Sequence, residues 1–196
     1  IAANYSRYVV DLNRAPDDAA LYEGQLSTGL CPKQTFAGDD IYFDDIDIDI
    51  ADRVKAYWQP YHDQLRSALD ATASAHGKAL LWDAHSIPSQ VPRLFEGELP
   101  VLNIGTNDGA SCDASVSDAV AAVAAASDYE SVVNGRFKGG YITRHYGEPD
   151  AGIHAIQLEL SQQAYMNERT LEYDRQGADD VQQTLRAMLE AFLDAA

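Results

Sequence analysis

Cysteine is scarce: Cys31 and Cys112 are far apart and in no CxxC spacing, which excludes a disulfide framework and a zinc knuckle. Two free thiols in a reducing compartment are the expectation. No basic stretch followed by an apolar one marks a signal peptide, and the chain is expected in the cytoplasm. No apolar run approaches the ~20 residues of a membrane helix. Positive charge is also scarce. Fourteen Lys and Arg face 31 Asp and Glu, for a net charge of -17, so the positive surface that nucleic acid requires is missing. The HExxH and GxSxG patterns are absent, and NIGTNDG (residues 103–109) lacks the GK[ST] ending of a phosphate loop, which removes the usual motifs for metalloprotease helices, serine hydrolases and P-loops.

What is present reads as one folded domain. The chain has 196 residues, 46% hydrophobic and 23% charged, enough for a sizeable core. Asp outnumbers Glu and Arg outnumbers Lys, a surface suited to concentrated salt, where screening relaxes self-repulsion. A halophilic protein of this kind should melt at a higher temperature in molar KCl than in dilute buffer. An unchanged melting temperature would mark it as merely acidic.

Strand-like runs alternate with helical ones. YSRYVVDLN (5–13), KALLWDA (78–84), LPVLNIGT (99–106), SVVNG (131–135), KGGYITRHYG (138–147) and GIHAIQLELS (152–161) read as strands. A Pro-, Gly- and Asp-rich loop is expected over 15–40. The Asp cluster of DDIDIDI (44–50) leads into a helix whose apolar residues recur at Val54, Trp58, Tyr61, Leu65 and Leu69. Pro60 should kink it or shift its hydrogen bonding, and Gly77 should end it. Asp113 can cap an Ala-rich helix to about Ser127, and an amphipathic helix should close the chain from about Asp179. This order predicts an α/β layered fold with a mainly parallel or mixed sheet. Sites in such folds lie beyond the carboxyl ends of strands, where Asn13-Arg14, Asp83-His85 and Glu159-Ser161 fall.

His85 is a metal ligand at a strand end or a satisfied loop histidine. Asp83 is its hydrogen-bond acceptor, a ligand itself, or a turn residue. Glu159 shares a strand face with Gln157, opposite Ile156, Leu158 and Leu160. A carboxylate there is costly unless it is paired or functional, so it is a general base or a salt-bridged sheet residue. Arg14 offers a planar fork for a carboxylate, or a surface pair with Asp17 or Asp18. Arg7 should be partly buried in the first strand. Arg144 ends another strand after Gly139-Gly140, where a backbone without Cβ lets a ligand approach.

Taken together, YSRYVVDLNR, TGLCP, YWQPYHDQL, LLWDAHSIPS, VPRLFEG, LNIGTNDGASC, NGRFKGGYITRHYG and HAIQLELSQQAYMNE resemble the N-formylglutamate deformylase (amidohydrolase) family. The likeness runs from about Tyr5 to Glu168. That family is related to zinc carboxypeptidases and aspartoacylases. The resemblance implies a three-layer α/β/α fold, Zn²⁺, an acidic N-acyl amino acid as substrate, and hydrolysis of N-formylglutamate in histidine breakdown. It implies that His85 is a zinc ligand, that Glu159 activates the zinc-bound water, and that Asn13 and Arg14 hold a substrate carboxylate, with Arg7 and Arg144 as further anion contacts. It also leads to the expectation of a single amidohydrolase domain over 1–196 without the family's N-terminal His-Ser-Gly segment, in which the other zinc ligands lie. Two further readings stay open: a related zinc amidohydrolase or carboxypeptidase for another N-acyl amino acid, and a metal-free module that binds an acidic ligand.

Overall fold

The computed structural model describes residues 1–19, 28–43 and 47–196. Parts of the expected 15–40 loop and of the DDIDIDI run therefore lie outside the described residues. The helical elements are α1 (Ile50–Arg53), a π-turn (Val54–Trp58), α2 (Gln59–His76), α3 (Ala114–Ala125), α4 (Tyr141–Tyr146) and α5 (Arg175–Ala195). The strands are β1 (Ala79–Ile87), β2 (Leu102–Gly105), β3 (Ser131–Val133), β4 (Ile153–Ser161), β5 (Met166–Asn167) and β6 (Glu172–Tyr173).

Four strands form a mixed sheet in the order β1-β4-β2-β3, parallel for β1/β4 and β2/β3 and antiparallel for β2/β4. All nine residues of β4 are buried, as a central strand covered on both faces requires. Its Ile156, Leu158 and Leu160 join Val116 and Val120 of α3 and Val181, Met188 and Phe192 of α5 in the main core. Each such side chain contributes roughly 1.5–3 kcal/mol when fully buried. On the opposite face, Leu65 and Leu69 of α2 and Ile142 and Tyr146 of α4 pack on Ala79 and Ile153. Helices thus cover both faces, as the alternating order of elements predicts.

Pro60 acts as expected. It has no N–H, and just ahead of it the Gln59 N–H reaches back to the Val54 carbonyl across a π-turn. Gly77 takes the left-handed conformation (φ 76°) that closes α2. Asp113 stands at the N-cap of α3, but its side chain makes no capping bond. Asp174 caps α5 through the N–H groups of Gln176 and Gly177, so that helix starts four residues before the expected Asp179.

Three expectations are corrected. Residues 5–13 form turns instead of a strand: Val9 N–H bonds Ser6 O, Arg14 N–H bonds Asp11 O, and Asp11 N–H is spent on Leu30 O. β-Branched composition marks a surface that packs, and it makes a strand only where a ladder partner exists. Arg7 accordingly lies on a turn. KGGYITRHYG adds no strand to the sheet, whose order is β1-β4-β2-β3; it is the helix α4, whose turns bury Ile142, Thr143 and Tyr146. Arg144 is therefore a helix residue. β1 runs on to Ile87, so Asp83 and His85 lie within the strand and not beyond it.

Candidate active site

Parallel pairing of β1 and β4 puts Asp83 opposite Gln157 and His85 opposite Glu159. The period-2 pleat then gathers all four on the face that α4 and the 7–14 segment cover. Asp83 (7% exposed) and Glu159 (8%) are buried, while the His85 side chain is 31% exposed.

His85 Nε2 lies 2.7 Å from Asp83 Oδ1 and 2.9 Å from Asn13 Nδ2. Burial works against a charge on the imidazole, but Asp83, with Glu159 and Asp11, overcomes it and raises its pKa to about 9. The charged ring donates to Asp83 Oδ1. Asn13 Nδ2 finds its acceptor in Asp83 Oδ2 at 3.2 Å, and Thr143 Oγ1 reaches the same oxygen at 3.3 Å. Burial pushes the Glu159 carboxyl up to about 7, against the pull of His85 and Arg7. Gln157 approaches Glu159 Oε2 through Nε2 at 3.4 Å, and its Oε1 accepts the Gly140 N–H at 2.6 Å.

Asn13 is turned inward. Besides its contacts with Asp83 and His85, its Oδ1 accepts the Ile142 N–H at 2.7 Å, and its own N–H goes to Asp11 Oδ1 at 3.0 Å. Arg14 donates from Nη1 to Asn13 O (3.2 Å) and from Nη2 to Thr28 Oγ1 (3.4 Å). Arg7 pairs with Asp11 and lies over the Phe36 ring. Arg144 donates from Nε to Gly139 O at 2.8 Å. Arg7, Asp11, Asn13, Asp83 and His85 line one open groove of about 710 Å³. Arg14, Arg144 and Glu159 do not line it.

The sequence reading left out Asp11, Thr143 and His62, and gave Gln157 no role. The alternation that singled out Glu159 already put Gln157 on the same face. Asp11 and Thr143 join the site only through the turn and the short helix that were read as strands. His62 (3% exposed) stacks on Trp58, with ring centroids 3.8 Å apart. Its Nδ1 meets Tyr146 OH at 2.8 Å and its Nε2 meets Leu12 O at 2.9 Å. The carbonyl fixes a proton on Nε2, so Nδ1 accepts from the tyrosine.

Burial is the main force that lowers the His62 pKa to about 4, while the Leu12 bond opposes it. A folded-state pKa below the unfolded 6.5 means that the unfolded chain binds the extra proton first. This contribution is complete above pH 6.5 and is lost as pH falls towards 4, a change of about 3 kcal/mol. Denaturant unfolding at pH 7.5 and 4.5 should show the wild type losing about 3 kcal/mol relative to His62→Gln, because His85 and Glu159 titrate alike in both proteins and only residue 62 differs. Equal losses in both would show that His62 is not responsible.

Catalytic zinc sites use three protein ligands and a water. Among the described residues, no group of three or more His, Cys, Asp or Glu side chains is placed to hold a metal, and His85 Nε2 is spent on Asp83. The described residues do not by themselves make a zinc centre. What they do make is a buried carboxylate near its titration point, a charged imidazole in register with it, and arginines on the adjoining loop and helix.

A family model described as N-formylglutamate amidohydrolase matches residues 1–166. N-formylglutamate deformylases of Pseudomonas putida and Pseudomonas aeruginosa are each 46% identical over 198 aligned positions, which span 98% of this chain and 74% of theirs. The fold is similar to the crystal structure of N-formylglutamate amidohydrolase from Ralstonia eutropha JMP134 (TM-score 0.79, 23% identity, 99% of this chain and 76% of that one). It is also similar to that of an Agrobacterium tumefaciens gene product (TM-score 0.70, 20% identity, 97% of this chain and 69% of that one). With a sheet that sets Asp83, His85, Gln157 and Glu159 on one face, and a match that runs through all four, the chain belongs to the N-formylglutamate amidohydrolase family.

Proposed function

We propose that the chain hydrolyses N-formyl-L-glutamate to L-glutamate and formate, as a step of histidine degradation. The observation that carries this reading is Glu159: a buried carboxyl with a pKa of about 7, in ladder register with the charged His85. A general base works best when its pKa lies near the operating pH. In this reading Glu159 takes a proton from the attacking water and returns it to the leaving glutamate nitrogen. The carbon–nitrogen bond breaks as the carbon–oxygen bond to water forms.

The substrate's two carboxylates call for cations. Arg14 and Arg144 are assigned to them, with Asn13 fixing the turn that carries Arg14. Arg7 is a further anion contact. Its Nε is buried without a hydrogen-bond partner among the described residues, and an acceptor on a bound anion would satisfy it. The net charge of -17 does not oppose an acidic substrate, because surface acids are screened beyond ~8 Å at physiological salt. No helix among the described residues is long and apolar enough to cross a membrane.

Zinc, which the resemblance implies, would take His85 as a ligand once the imidazole gives up the proton that it donates to Asp83. One preparation tests both parts of the reading. Glutamate release and kcat/KM are compared for formyl-, acetyl- and succinyl-glutamate, and metal content is measured on the same sample. A preference for the formyl compound is expected, together with bound zinc. A preference for another acyl group would make the chain a different amidohydrolase. Glutamate binding with neither turnover nor metal would make it a binding module.

A further inference from the structure

We propose that Trp58 and His62 are positioning residues which, from outside the site, set the turn that carries Asn13 and Arg14. This rests on the assignment of that turn to the substrate's carboxylates.

The two side chains lie four residues apart, on one face of the helix, and stack on each other. Each spends its ring N–H on the turn. His62 Nε2 donates to Leu12 O at 2.9 Å, and Trp58 Nε1 donates to Arg14 O at 2.9 Å. The carbonyl between them, Asn13 O, accepts from Tyr141 N at 3.4 Å and from Arg14 Nη1 at 3.2 Å. Three successive carbonyls are thus fixed, the outer two by one helix face. His62 Nδ1 accepts from Tyr146 OH, which ties the same imidazole to α4, the helix that holds the Asn13 side chain.

The π-turn explains how one helix reaches so far along the segment. Arg53 Nη1 donates to Val9 O at 2.8 Å, five residues ahead of Trp58. A regular α-helix would put residues five apart about 140° away from each other. The extra residue of the π-turn, recorded by the bond from Gln59 N–H to Val54 O, brings them to the same side. The carbonyls of residues 9, 12 and 14 are therefore held by Arg53, His62 and Trp58. Packing alone does not require this, because an apolar pair would fill the same volume with no donor to satisfy.

Trp58→Phe and His62→Leu remove one donor each and keep most of the ring or side-chain bulk. Val120→Ala, in the core on the other side of the sheet, serves as a control that lowers stability without touching the turn. Hydrogen exchange of residues 9–16 needs no substrate. It should speed up in Trp58→Phe and His62→Leu, and not in Val120→Ala. With N-formylglutamate, KM should rise ~10-fold in the two variants, the cost of leaving a buried carbonyl without its donor, while kcat stays within ~3-fold because Ile142 N–H and Asp83 still hold the Asn13 side chain. His62→Gln, which keeps a donor, should recover part of the loss.

Unchanged exchange would overturn the clamp. Faster exchange with unchanged KM, or the same KM change in Val120→Ala, would overturn the positioning role. A wild type that turns over no N-formylglutamate would instead sink the activity assignment, and the exchange data would still decide the clamp.

Discussion

Glu159→Gln should lower kcat by ~10²–10⁴-fold, the usual contribution of a positioned general base, and leave KM within a few-fold. Glutamine preserves shape and can accept the Gln157 Nε2–H, so Glu159→Gln removes proton transfer and little else. The wild-type pH profile supplies the second reading. Only the ionised carboxylate accepts a proton, so kcat/KM should rise as pH passes through about 7, where burial has placed this group. The base-removed variant should lack that limb. Should kcat survive the substitution, or the acid limb persist in Glu159→Gln, the base lies elsewhere and the role of the His85–Glu159 register is structural.

This prediction was reachable from the sequence because β4 was. Nine residues with apolar side chains at alternate positions specify a strand and its two faces, and Glu159 and Gln157 fall on the same face. What the alternation could not disclose is that both faces are buried. That depends on what covers the polar face, namely α4 and the 7–14 turn. Both were misread for one physical reason. Tyr, Val, Ile and Thr report a surface that packs, and strand pairing is a tertiary fact. YITRHY lies over β4 and β1 instead of beside a strand, and there a helix turns Ile142, Thr143 and Tyr146 inward. The long helix from Ile50, the Ala-rich α3 and the closing α5 were legible because 3.6-residue periodicity over many turns is a local property. The polar contacts of the site, Asp11 and Thr143 in particular, depend on the non-local placement and were not.

Gly140→Ala should damage the site without touching a charged group. Gly140 has φ -82° and ψ -165°, a backbone that any residue adopts, so conformational strain is not the obstacle. Space is. A Cβ on Gly140 would lie 2.3 Å from Asn13 Nδ2 and 2.6 Å from its Cγ and Oδ1. Nor can the amide yield freely, because Ile142 N–H holds its oxygen and Asp83 its nitrogen. Overpacking of this kind typically costs 1–3 kcal/mol, or about 2–4 °C in Tm per kcal/mol for a chain of this size. The larger effect should fall on catalysis. Displacing Asn13 moves the group that contacts both Asp83 and His85, and a shift of about 1 Å near reacting groups can cost ~10²-fold in rate. The cause can be isolated by a double-mutant cycle. Asn13→Ala removes the obstructing amide, so Gly140→Ala introduced in that background should cost almost no further stability. An equal cost in both backgrounds would show that the added methyl acts elsewhere, through the Gly140 N–H to Gln157 or the start of α4, and would separate the close approach of Gly140 from the placement of Asn13.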